Sequence, residues 1–208
     1  MAGRKKQVGR ATPVQRRSEE TFARILDAGM QLLEETGLAG FNTNAAAQAA
    51  GINIGTLYHY FADKNALLTA MFARSERERT DVLTARLASL EDVDNLGEWV
   101  HETVAVLLKM RAKTPGATVL RNAVRVVPEL YELGHEQDER SALALAAALR
   151  VRYPKVTKAR AEAVARMVID AGVAALDRVG AGNGNARTVQ RERSEEHTSE
   201  LQTRQYLV

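Results

Sequence analysis

Residues 43–60 read TNAAAQAAGINIGTLYHY, and this stretch decides the fold. Two short helices that cross steeply through a tight turn need a small side chain where the second approaches the first, and Ala47 supplies it. The turn needs a residue that tolerates positive φ, and Gly51 stands four residues after Ala47. Apolar groups must fill the angle between the helices; Ala50, Ile52 and Leu57 fall there, and Asn53 is suited to cap the second helix. The pattern predicts helices over 43–50 and 54–61, separated by Gly51, Ile52 and Asn53. A helix-turn-helix of this kind lays its second helix in the major groove of double-stranded DNA, with the N-terminal half at the base edges, and sets the first across the backbone. On that reading Asn44, Ile54, Gly55, Thr56 and His59 are candidate base readers. Thr43, Tyr58, Tyr60 and Lys64 carry hydroxyl or ammonium groups suited to phosphate oxygens, which fix register rather than specify sequence. Lys64 also stands near the start of the next helix, whose free N–H groups favour phosphate.

Upstream, residues 1–17 lack apolar periodicity, contain Gly3, Gly9 and Pro13, and carry six basic residues and no acid. They read as a flexible basic arm. The whole chain is +3, so 23 basic residues remain against 26 acidic ones, a net of −3 for the rest. A basic arm on a slightly acidic body points to a polyanion at the N-terminal end. Ahead of a helix-turn-helix, Arg10, Arg16 and Arg17 can add phosphate or minor-groove contacts. Ser18, followed by Glu19 and Glu20, is the expected start of the first helix. Phe22, Ile25, Leu26, Gly29, Leu32 and Leu33 give it one apolar stripe, and Gly37 is its expected stop.

Downstream, a long helix is expected from about Asp63 to Leu90, and another from Leu96 with Trp99, Thr103 and Leu107 on one face. Pro115 and Gly116 break the pattern before Leu120, and Pro128 suits the first turn of a further helix. The last two helices, over about 129–152 and 158–179, are the most apolar. Alternation typical of strands is absent from the sequence, as are internal repeats, so the chain reads as all-α. Ala142, Leu145, Ala146 and Leu149, with Val164, Val168, Gly172, Ala175 and Leu176, form a stripe rich in small residues. Two such helices from each of two copies could make a four-helix interface, a homodimer whose paired reading heads suit a pseudo-palindrome.

Composition narrows the function. Hydrophobic residues at 45% and charged residues at 26% fit a folded domain, and the absence of cysteine excludes disulfides, thiolate metal sites and cysteine nucleophiles. His59, His101, His135 and His197 show no metal-ligand spacing, and His135 with Glu136, Asp138 and Glu139 reads as a solvated face. No catalytic constellation and no phosphate loop is recognisable, so neither an enzyme nor a bound cofactor or metal is expected. No apolar run reaches the ~18 residues of a membrane span, and no secretory signal precedes the basic arm, which gives a cytoplasmic expectation.

The run from Ser18 to Leu68 resembles the DNA-binding domain of the tetracycline-repressor (TetR) family. Its most specific part is Gly55 to Lys64, GTLYHYFADK, supported by Asn42, Thr43 and Asn44 before it and by Ala50 and Gly51 in the turn. Val127, Pro128, Glu129 and Leu130 are also similar to an element of such proteins. The resemblance implies three N-terminal helices completed by the start of the fourth, a larger C-terminal helical domain for effector binding and dimerisation, and phosphate contacts from Thr43, Tyr58 and Lys64. It also implies an effector pocket among the helices at 90–135, where Trp99, Thr103, Met110, Arg121 and Arg125 are candidate lining residues. The resulting expectation is an arm at 1–17, a helix-turn-helix domain at 18–66, an effector-binding and dimerisation domain at 67–180, and a tail at 181–208. The function expected is a ligand-responsive repressor of transcription, with an unidentified small-molecule effector. The alternative is a nucleoid-associated or division-linked structural DNA binder with no effector. Ala46 departs from the family, which usually carries isoleucine or leucine there; the lost methylenes cost ~1–3 kcal/mol unless Phe41 or its neighbours fill the space. The end of the chain, RSEEHTSELQ at 193–202, resembles the conceptual translation of a sequencing-library adaptor.

Overall fold

A computed structural model describes residues 13–178. Arg10 and the 193–208 tail lie outside the described residues. Among those described, the regular structure is entirely helical: α1 Pro13–Gly40, α2 Thr43–Ala49, α3 Ile54–Tyr60, α4 Lys64–Ala88, a 3-10 turn Leu90–Asp92, α5 Leu96–Lys113, α6 Ala117–Ala123, α7 Pro128–Arg152 and α8 over 158–178.

The first helix corrects two expectations. It begins at Pro13, not Ser18. A proline in the first turn forfeits no helical hydrogen bond, and Gln15, Arg16 and Arg17 are tolerant of helix, so nothing delays nucleation until the serine. Arg16 and Arg17 therefore ride on α1 as exposed residues instead of lying in a loose arm. Ser18 is not a cap: its hydroxyl lies 3.1 Å from the Tyr60 hydroxyl. At the other end, Gly37 (φ 65°, ψ −179°) interrupts the helix, which resumes as far as Gly40.

Two apolar cores organise the packing. The first gathers Ile25, Leu26 and Leu33 of α1, Leu57 of α3, and Leu67, Leu68, Met71 and Phe72 of α4, and it takes in Leu120 of α6 and Leu130 of α7. Ala46 is fully buried in this core, as is Phe41, whose ring brings far more apolar area than the missing methylenes of Ala46. The second gathers Leu83 and Leu87 of α4, Leu90, Trp99 of α5, Ala142, Leu145 and Ala146 of α7, and Ala161, Ala165 and Ile169 of α8. Helix α4 runs unbroken through both, across the boundary expected at 66. Arg152, in the last turn of α7, donates to the Leu90 and Glu91 carbonyls at 3.0 and 2.8 Å, which ties that helix end to the turn after α4.

Candidate nucleic-acid interface and interior chambers

The bihelical element at 43–60 is built by its caps and its turn. The Asn42 side chain accepts from the Ala45 N–H at 2.9 Å to open α2, and the Asn53 side chain accepts from the Thr56 N–H at 2.8 Å to open α3. Gly51 between them has φ 64°, a backbone state that costs side chain-bearing residues ~1–2 kcal/mol. A Cβ there would meet nothing within 4 Å, so glycine is required by the dihedral and not by crowding. Leu57 is the buried residue of α3, at 0% exposure. It pins the helix to the core and turns Gly55, Tyr58 and His59 outward, with Tyr58 half exposed.

The predicted contact residues divide into groups. Asn44, Gly55, Tyr58 and His59 are exposed, and Thr43, Ile54, Thr56, Tyr60 and Lys64 are half-buried. Thr43 of α2 and Tyr58 of α3 bring their hydroxyls within 3.2 Å of each other, a pair able to present two O–H groups to one phosphate. The Thr56 hydroxyl donates to the Asn53 side chain at 3.2 Å, which reinforces the cap. The Tyr60 hydroxyl is engaged by Ser18, and its ring stacks edge-on with His59 and lies 6.1 Å from Phe22. Tyr60 thus fastens α3 to α1. Lys64 donates to the Leu38 carbonyl at 3.1 Å, closing the kinked end of α1 against the start of α4; two of its three N–H donors remain for an anion.

Away from this element, two chambers open among the C-terminal helices. The apolar one, about 590 Å³ with its open mouth, has Leu83, Trp99, Thr103, Leu107, Val168 and Ile169 in its walls. The charged one, about 490 Å³ with its mouth, includes Phe72, Glu76, Met110, Arg111 and Arg121. Arg79, Leu107 and Leu176 line both. Four of the five predicted pocket residues therefore line a chamber: Trp99 and Thr103 the first, Met110 and Arg121 the second. Arg125 lines neither and is exposed, because it falls in the turn after α6 and points away from the helix stack.

Sequence reasoning missed the ion network beside the charged chamber. Arg79 pairs with Glu76 at 2.7 Å and Asp138 at 2.9 Å. Arg121 reaches Asp138 at 3.3 Å, Asp177 at 3.6 Å and Glu76 at 3.7 Å, and Arg111 reaches Asp177 at 3.2 Å. Five helices, α4 to α8, meet through these six side chains. Burial pushes the Arg111 guanidinium below its ordinary pKa, with Asp177 pulling the other way. A signal was present in the sequence: the apolar stripe Leu68, Phe72, Leu83, Leu87 of α4 is interrupted in phase by Glu76 and Arg79, and charges placed on a buried stripe must find partners.

The predicted interface stripe needs a correction. Leu145 and Leu176 are 6% and 4% exposed within a single chain, and Leu149 packs on the second core, so these faces are consumed internally. Gly172 is half-buried, whereas Val164 and Val168 stay exposed. The uncovered apolar groups of the last two helices are Leu143 and Val151 on α7 and Val164, Met167 and Val168 on α8. An amphipathic period cannot separate an inner apolar face from an outer one when a helix has both.

Among the described residues, no helix is long and apolar enough to cross a membrane. Residues 25–71 match the family described as bacterial regulatory proteins, tetR family. Residues 95–205 match the tetracyclin repressor-like C-terminal domain. The chain is 31% identical over 159 residues to an uncharacterized HTH-type transcriptional regulator of Mycobacterium tuberculosis, covering 74% of this chain and 75% of that one. It is 36% identical over 70 residues to the HTH-type transcriptional regulator BetI of Burkholderia mallei; that stretch is 34% of this chain and only 36% of BetI, about a third of the relative's length. A TetR-family regulator from Pectobacterium atrosepticum shares the fold, with a TM-score of 0.60 at 24% identity over 89% of this chain and 94% of that one. With its N-terminal element matched and the C-terminal match spanning more than half of its length, the chain belongs to the tetracycline-repressor (TetR) family and is a DNA-binding transcriptional regulator.

Proposed function

We propose that this regulator is a homodimeric, ligand-responsive repressor that reads a pseudo-palindromic operator. The observation that carries the DNA-reading part is the exposed face of α3. Its single buried residue, Leu57, leaves Gly55, Tyr58 and His59 outward at the helix that enters the groove. Asn44, Ile54, Gly55 and His59 approach base edges, with Thr56 held by the Asn53 cap. The Thr43–Tyr58 hydroxyl pair and the Lys64 ammonium take phosphates, and Arg16 and Arg17 extend the contact along the backbone from α1. The effector part is supported by the two open chambers, whose volumes fall in the range of small-molecule sites. That observation favours a regulator with an effector over a structural DNA binder. The dimer is supported by the uncovered Leu143, Val151, Met167 and Val168 on the last two helices.

The test is selection of bound duplexes from a random pool, followed by a compound screen for release. An inverted repeat with half-sites about one or more helical turns apart, released by one chemical class, supports the reading. Binding to dispersed, unrelated sites with no release overturns it.

A further inference from the structure

The two chambers share a wall, and each holds a buried donor that no protein acceptor meets. In the apolar chamber it is the indole Nε1–H of Trp99, a residue 8% exposed. In the charged chamber it is Nη1 of Arg121, whose side chain is nine-tenths buried. Buried donors without acceptors are costly and uncommon. From this we propose that the effector is an uncharged, largely apolar molecule with a carbonyl-type oxygen at each end, one accepting from Trp99 and the other from Arg121. The proposal rests on the ligand-responsive reading above and names the chemistry of its ligand.

Charge decides the class. Arg79, Arg111 and Arg121 are balanced by Glu76, Asp138 and Asp177, so the interior network is formally neutral before any ligand enters. An anion on Arg121 Nη1 would sit against Glu76, whose Oε1 is 3.7 Å from that nitrogen. The further carboxylate in this wall, Glu78, is exposed to solvent. A cation would leave both donors unmet and add positive charge beside three arginines. A neutral oxygen satisfies each donor and disturbs neither balance. The apolar walls, Leu83, Leu107, Val168 and Ile169, suit the hydrocarbon between the two oxygens.

Trp99 is the single tryptophan of the chain, so its fluorescence reports on the apolar chamber alone. Three probes with the same ten-carbon span separate the classes: dimethyl sebacate (neutral, two ester carbonyls), sebacate (dianion) and decamethonium (dication). The intact protein is titrated with each, and the same additions are made to its complex with the selected operator. Dimethyl sebacate is expected to shift Trp99 emission, and to bind at least about tenfold more tightly than either charged probe, the scale of one hydrogen bond to a charged group. Arg121→Lys, which keeps the positive charge of the network, is expected to weaken dimethyl sebacate by about tenfold. Trp99→Phe, read by ligand-induced thermal shift, is expected to weaken it severalfold. Sebacate or decamethonium binding as tightly as the diester, and releasing operator, overturns the proposed class while the ligand-responsive reading stands. Emission unchanged by all three probes overturns the proposal as well; the two donors then serve water.

Discussion

Two glycines with nearly the same dihedral make a controlled comparison. Gly51 has φ 64° and Gly116 has φ 69°, so replacing either with alanine forces a side chain into the left-handed region at ~1–2 kcal/mol. They differ in what the new Cβ meets. At Gly51 nothing lies within 4 Å, whereas at Gly116 the Met30 carbonyl oxygen of α1 would be 2.4 Å away. To restore ordinary contact, the loop before α6 and helix α1 must part by about 1 Å, with the penalty of an overpacked site, ~1–3 kcal/mol. The same movement strains the hydrogen bond from the Gly116 N–H to the Glu34 carboxylate, now 2.8 Å. Gly116→Ala should therefore destabilise by ~2–5 kcal/mol and Gly51→Ala by ~1–2 kcal/mol. Urea unfolding followed by circular dichroism, at one fixed protein concentration, gives both values. A Gly116→Ala protein within about 0.5 kcal/mol of Gly51→Ala would refute the close approach of α1 to the regulatory helices at this point. Operator affinity should respond in the opposite order, because Gly51 sets the angle between α2 and α3 while Gly116 lies far along the chain from either.

Leu57→Ala should cost ~2–5 kcal/mol, since the residue is 0% exposed and holds α3 to the core; a melt as high as that of the parent would mean that α3 is positioned by something else. Arg16→Ala with Arg17→Ala should weaken operator binding and make the plot of log affinity against log salt shallower by roughly 0.9 for each phosphate that is no longer neutralised, and an unchanged slope would remove both arginines from the interface. Glu139 accepts from Arg166 across α7 and α8 at 2.7 to 3.1 Å, which holds its carboxyl below the ordinary value of 4.5. Because the folded value is depressed, this contribution is fully present above pH 4.5 and fades as pH falls through the lower folded value. Glu139→Gln should flatten that part of the acid limb in urea midpoints measured from about pH 6 to pH 3; an acid limb identical to the parent's would show that the pair does not couple the two helices.

Local physics made the reading head legible from sequence. Gly51, Asn53 and Leu57 each answer a requirement that is met within eighteen residues, so spacing alone located both helices and their caps. The start of α1 was not legible, because Pro13 and Ser18 are both acceptable openings. What decides between them is long-range: the Ser18 hydroxyl meets Tyr60, forty-two residues later. The partners of Lys64 were hidden for the same reason, since its carbonyl acceptor belongs to Leu38, beyond the kink at Gly37. In the C-terminal half, small apolar residues occupy more than one face of α7 and α8. Periodicity gave the helices but could not say that Leu145 and Leu176 face inward while Met167 and Val168 face out. The chambers were legible residue by residue but not as two compartments, because the ion network between them draws on five helices.

The coupling between the reading head and the chambers lies in α4. Its 25 residues span about 37 Å at 1.5 Å per residue. Lys64 at its start bonds to the Leu38 carbonyl of α1, Met71 and Phe72 belong to the first core, Glu76 and Arg79 to the ion network, and Leu83 and Leu87 to the second core. Phe72 has a foot in both regions: it lines the charged chamber, and the Arg121 guanidinium lies 5.9 Å from the centre of its ring. On the proposed reading, moving operator release from 1:99 to 99:1 requires a differential affinity of roughly 5.5 kcal/mol between the two states. Two ligands on a homodimer share that requirement, about 2.7 kcal/mol each, or close to a hundredfold per site. A single hydrogen bond to a charged group supplies ~1.5–3 kcal/mol. The exchange of one acceptor at Arg121, made in the released state and missing from the DNA-bound one, is therefore of sufficient size to drive the switch. No larger rearrangement of the apolar walls is energetically required.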